Sequence, residues 1–112
     1  MSTELPILKS EFFRVMAHPT RIRILEQLVH GERTVQELQT ALTLDQPIVS
    51  QHLAVLRGRR VVAARREGTQ AYYMLTSPLI ADVLRLSREF LNRQLSESRS
   101  LLRELRREGR RA

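Results

Sequence analysis

The chain predicts a mainly α (α+β) fold, a winged helix-turn-helix of five helices with a two-stranded β-hairpin wing between the fourth and fifth helices. Two stretches predict it. Val49-Ser50-Gln51-His52-Leu53-Ala54-Val55-Leu56-Arg57 reads as a helix with one apolar seam and one small, polar, cation-flanked face. Arg65-Arg66-Glu67-Gly68 and Tyr72-Tyr73 follow, and read as a basic ribbon with a tight turn. A helix sized for a major groove beside a ribbon for the backbone is a layout for binding double-stranded DNA.

Each element has a local reason. From Glu4 to Met16, apolar Leu5, Leu8, Phe12 and Val15 recur at helical steps. His18-Pro19 breaks that helix, and Pro19 suits the first turn of a second, whose inner face is predicted at Ile22, Leu25, Leu28 and Val29 and whose end is Gly31. Thr34 caps a short third helix, with Glu37 three positions on completing a capping box and Val35, Leu38 and Leu42 inward. Thr43-Leu44 makes the turn, Asp45 caps the fourth helix and Pro47 lies in its first turn. Val61–Arg66 and Ala71–Leu75 read as strands joined by Glu67-Gly68-Thr69-Gln70. Ser77-Pro78 starts a last helix to about Arg107, so residues 1–107 form one domain and 108–112 a basic, frayed tail.

Charge separates these elements. The net charge is +7, an excess that favours a polyanionic partner. Residues 45–75 carry five cations and two anions, whereas 31–44 carry one and two, so the predicted reading helix and ribbon are basic and the helix before them is not. All the cations but Lys9 are arginine, whose planar fork suits phosphate, although a bias in genomic base composition would give the same preference. The absence of cysteine excludes disulfides, thiolate metal sites and thiol redox sensing. No apolar run approaches the roughly 20 residues that span a bilayer. Met1 to Ser10 lacks the pattern of a signal peptide, and a cytoplasmic location is the expectation.

Placed about 100° apart, Val49, Leu53 and Leu56 share the core side of the fourth helix. The opposite side holds Pro47, Ser50, Gln51, Ala54 and Gly58, flanked by Gln46 and Arg57. Ala54 and Gly58 are small enough for a deep approach to a groove, and Ser50 and Gln51 can donate to and accept from base edges, Gln suiting adenine. Arg57 and Arg59 lie where phosphates would pass. A merely solvated face would carry Glu and Lys; this stretch has no acid between Asp45 and Glu67. His52, one step from the seam, is expected to pack or hydrogen-bond within the protein. On the wing, Arg65, Arg66, Thr69 and Gln70 are the expected contacts to phosphates or the minor groove. One of Tyr72 and Tyr73 is expected in the core and the other on a partly exposed flank.

In combination, His18-Pro19-Thr20-Arg21, Val49-Ser50-Gln51-His52-Leu53, Leu56-Arg57, Arg65-Arg66-Glu67-Gly68 and Tyr72-Tyr73 resemble the ArsR/SmtB family of bacterial winged-helix repressors, over roughly Phe13 to Leu75. The resemblance implies a homodimer built on the first and last helices, a partly palindromic operator, and repression released or altered by an effector. Two departures stand out. Arg60 occupies a position where the family usually has glycine, so the helix either ends nearer Gly58 or leaves Arg60 strained. Where many relatives carry a metal-binding cysteine pair on the third helix, this chain has Val35-Gln36-Glu37-Leu38-Gln39; on the last helix it offers Asp82 and Glu89 with no histidine. His18, His30 and His52 share no ligand spacing on one element. No metal and no cofactor is expected, and any effector is a small molecule of another kind.

The apolar stripes argue separately for a homodimer. Leu5, Leu8, Phe12 and Val15 make one edge; Leu79, Val83, Leu86 and Phe90, continued by Leu91, Leu95, Leu102 and Leu105, make another. A monomer would expose much of both unless the helices folded back on it. An enzyme is disfavoured: there is no thiol, no glycine-rich phosphate loop and no histidine–carboxylate arrangement, and Ser50-Gln51-His52 diverge on one helix. The competing reading is a winged-helix module for protein contacts or sequence-indifferent DNA binding.

Overall fold

A computed structural model describes residues 4–111, with side chains through Arg110. The order is α1 (Glu4–Met16), α2 (Pro19–Val29), β1 (Arg33–Thr34), α3 (Val35–Leu42), α4 (Gln46–Gly58), β2 (Val62–Glu67), β3 (Gln70–Leu75) and α5 (Pro78–Arg111). The chain divides into a compact unit through Ala81 and a second unit from Asp82 that consists of the remaining length of α5. Among the described residues no helix is long and apolar enough to cross a membrane.

Ile24 and Leu25 of α2, Leu38 of α3, Val49, Leu53 and Leu56 of α4 and Val62 of β2 are the largest fully buried side chains. The α4 seam is therefore where its periodicity puts it. The α2 face is so in part: Leu25 and Leu28 are buried as expected, but Ile24 joins them in the core while Ile22 and Val29 are exposed. The apolar residues of α2 span an arc of roughly 160°, and Ile22 and Val29 stand at the edge of it that the core leaves uncovered. Val15 is also displaced from expectation, because at 5 % exposure it belongs to the chain's own core together with Met16.

The ends of the helices show how side chains replace missing backbone partners. His18 Nδ1 accepts the Thr20 N–H at 3.1 Å ahead of α2. Thr34 and Glu37 form the full capping box: Thr34 Oγ1 accepts from Glu37 N–H at 3.1 Å, and Glu37 Oε1 accepts from Thr34 N–H at 3.0 Å. The Thr34 backbone donor, then its hydroxyl, holds the Glu37 carboxyl below its usual range. Asp45 occupies the N-cap of α4 but makes no side-chain cap bond, which corrects the expected capping role.

After α4, Val61 N–H donates to Leu56 O at 2.9 Å and Arg60 N–H to Arg57 O at 3.0 Å, the paired bonds of a Schellman ending. Arg60 accordingly has φ +60°, in the left-handed region. Both readings of the missing glycine hold together: the helix ends at Gly58, and Arg60 takes the conformation a glycine would take more easily.

The sheet has order β1-β3-β2, antiparallel throughout. Its third strand, β1, is only two residues long, too short to be legible in the sequence. Glu67 pairs with Gln70, leaving Gly68-Thr69 as a two-residue loop in which Gly68 has φ +64°. Tyr72 and Tyr73 are both half-buried, so neither is the fully covered one expected. The last helix passes the predicted end at Arg107 and continues to Arg111.

Candidate nucleic-acid interface

Burying Val49, Leu53 and Leu56 turns the other side of α4 outward. Gln46, Pro47, Gln51, Ala54, Arg57 and Gly58 are exposed, and Ser50 is half-buried. Gln46 Nε2 donates to Ser50 Oγ at 2.8 Å, one helical turn away, so these two act as a pair. Gln51 and Arg57 make no side-chain hydrogen bond or ion pair among the described residues. Arg59 is tied back to Glu11 of α1 at 3.3 Å. It thus anchors α1 to the end of α4, whereas Arg57 projects free.

The side of α4 away from this face is held by polar contacts. Arg21 Nε donates to His52 Nδ1 at 3.2 Å, and its Nη1 to Val15 O at 3.2 Å. The His18 and His52 rings lie 4.5 Å apart between centroids. His52 is engaged inside the protein, as its position one step from the seam predicts.

Burial first, then the proximity of His18 and Arg21, lowers the His52 pKa from its ordinary value. The folded chain therefore refuses a proton that the unfolded chain accepts near pH ~6.5. The stabilisation is complete above that pH and is lost as the pH falls through the depressed value. The melting temperature is expected to drop less steeply between about pH 7 and 5 in His52→Gln, which stays neutral and can still accept from Arg21. Equal pH slopes in thermal melts of the two proteins would remove His52 from this account.

Strand alternation sends Arg65 and Arg66 to opposite faces of the wing. Arg66 lines a concave surface with Gln36 and Gln39 of α3, Gln46 of α4, and Thr69 and Gln70 of the wing tip. One cation thus stands among amides and a hydroxyl, between the reading helix and the ribbon. Gln36 and Gln39 are additions to the predicted set; their one-turn spacing is visible in the sequence, but not that α3 meets the wing.

Arg65 is differently placed. Its Nη2 is 2.7 Å from Glu32 Oε2 and its Nη1 2.7 Å from Glu67 Oε2, and the guanidinium lies over the Tyr72 ring at 5.0 Å. Bonding to Glu32, then Glu67, raises its pKa further above the usual arginine range. No group of three or more histidine, aspartate or glutamate side chains suited to a metal is found among the described residues.

Comparison with known proteins agrees with this geometry. Residues 18–64 match the family model for the bacterial regulatory proteins of the arsR family. The uncharacterized HTH-type transcriptional regulator Rv0081 of Mycobacterium tuberculosis is 47% identical over 103 residues, covering 91% of this chain and 90% of the relative. Its crystal structure superposes with a TM-score of 0.78 over 86% of this chain and 97% of that one. A probable mercury resistance operon repressor of Streptomyces lividans is 39% identical, covering 74% of this chain and 66% of its own length. The solution structure of Mb0332 from Mycobacterium bovis, described as a homodimeric winged helix-turn-helix DNA-binding domain, is 30% identical with a TM-score of 0.75, covering 87% of this chain and 93% of that one. A reading helix mounted on a buried seam, a basic wing beside it and these likenesses agree: the chain belongs to the arsR family of bacterial regulatory proteins and is a DNA-binding transcriptional regulator with a winged helix-turn-helix fold.

Proposed function

We propose that the protein represses transcription as a homodimer on a partly palindromic operator in the cytoplasm, and that it works by binding rather than by catalysis. The observation that carries this is the exposed, acid-free side of α4, backed by a fully buried seam and joined at one end by Arg66. Pro47, Ser50 and Gln51 face base edges, with Gln46 orienting Ser50. Arg57, Arg66, Thr69 and Gln70 meet the backbone. Phosphate contacts set register, and base contacts specify.

The dimer rests on the apolar surface of two helices, each considered alone. Leu5 and Leu8 of α1 are exposed, as are Leu79, Leu86 and Phe90 of α5, while Phe12 and Val83 are partly covered. The homodimeric state of the related Mb0332 supports a homodimer here. Pairing would set two reading helices about one DNA turn, ~34 Å, apart. An effector, if the protein has one, is a small molecule bound without thiolates, since the chain has no cysteine.

The basic wing alone would also serve a protein that coats DNA without regard to sequence. Selection from random duplexes separates the two. The selected site is expected to be two-fold related and to bind about a thousandfold or more tighter than bulk DNA at the same salt. Failure to enrich any sequence would favour the coating reading.

A further inference from the structure

The two arginines of the wing are neighbours in sequence and strangers in environment. Arg65 stands opposite Tyr72 on β3, and Tyr72 in turn stands opposite Thr34 on β1, so one row crosses all three strands. Along that row the Arg65 guanidinium covers the Tyr72 ring and reaches Glu32, the second residue before Thr34. Its other nitrogen holds Glu67, where β2 turns. One side chain thereby joins the approach to β1, the middle of β3 and the wing tip. Isolated surface ion pairs contribute little, but a shared fork stacked on an aromatic ring is a network with fixed geometry.

The electrostatics point the same way. Glu32 and Glu67 occupy both terminal nitrogens of the Arg65 fork, so a phosphate would have to displace a carboxylate to reach it. Arg66, on the opposite face, makes no ion pair among the described residues and stands beside Gln46 of the reading helix.

We propose that Glu32 is a positioning residue for DNA binding: together with Glu67 it holds Arg65 against Tyr72 as a strut of the wing, leaving Arg66 as the ribbon's phosphate-contacting cation. This rests on the reading of the wing as a DNA contact. Glu32 touches no nucleic acid in this scheme and acts through Arg65.

The test is a salt titration of operator binding by the full chain and its Arg66→Ala, Arg65→Ala, Glu32→Gln and Glu32→Gln/Arg65→Ala variants. Arg66→Ala is expected to flatten the plot of log affinity against log salt by about 0.9 for each phosphate that is no longer neutralised. Arg65→Ala and Glu32→Gln are expected to keep the parent slope and weaken binding severalfold at every salt concentration. The double variant should be no weaker than either single one, because both remove the same strut. A flattened slope in Arg65→Ala would make Arg65 a phosphate ligand and overturn the proposal. So would unchanged or tighter binding in Glu32→Gln. An unchanged slope in Arg66→Ala would instead take away the wing contact itself, and the proposal with it. Melting curves on each variant separate these results from loss of fold.

Discussion

Leu53→Ala is expected to cost about 2–5 kcal/mol of folding stability, the range for truncating a fully buried leucine. Leu53 has no exposed surface and sits in the middle of α4, between Gln51 and Ala54 of the outward side and one turn from Val49. Truncation removes transfer free energy and leaves a cavity that the surrounding core fills only in part. In a domain of this size each 1 kcal/mol is worth roughly 4–8 °C of melting temperature, so the loss is a large share of the total. Leu53→Met keeps the volume and is expected to cost less than about 1.5 kcal/mol. Urea unfolding of the two variants checks both numbers. A loss below about 1 kcal/mol for Leu53→Ala would mean that the seam is not what mounts the reading helix. The variant matters for function because α4 has no other apolar anchors than this seam: its remaining large apolar residues, Ile48 and Val55, are partly exposed.

What the sequence discloses follows how far a signal travels along the chain. Short-range signals read well. The extent of α1, the Thr34–Glu37 box and the α4 seam depend on residues within about two turns of one another, and their periodicity or chemistry is unambiguous. Failures begin where a residue's role is set by something distant. Two residues are too few to show strand alternation, and β1 exists only because β3 passes beside it. The inner face of α2 is decided by what α3 and α4 bring to it. Asp45 has the right residue type for a cap yet makes no cap bond. Past Arg107 no apolar stripe marks the helix, but Arg and Glu are good helix formers and α5 continues. The candidate site divides along the same line. That Arg65 and Arg66 lie on opposite faces follows from strand geometry alone. Arg66 shares its strand face with the buried Val62, whereas Arg65 pairs with Glu32, 33 residues away in sequence, and that pairing leaves no local mark.

Gln51→Ala is expected to weaken binding to the selected operator by about 1–3 kcal/mol, roughly five- to 150-fold, while leaving affinity for bulk DNA and the melting temperature near their parent values. Gln51 is exposed and its side chain makes no hydrogen bond among the described residues, so removing its amide costs the folded chain little. Its value lies in the complex, where a carboxamide can donate to and accept from one adenine edge at once. The neighbouring polar residues are not equivalent. Ser50 already accepts from Gln46, and His52 already accepts from Arg21. Gln51 is the uncommitted amide on this side of α4, which is why selectivity should fall most sharply there. Competition with operators substituted one base pair at a time makes the prediction specific. At one position in each half-site the parent protein should discriminate and the variant should not, with discrimination elsewhere preserved. Uniform weakening at every position would make Gln51 a backbone contact. Undiminished affinity and selectivity would place the reading residues on another side of the helix.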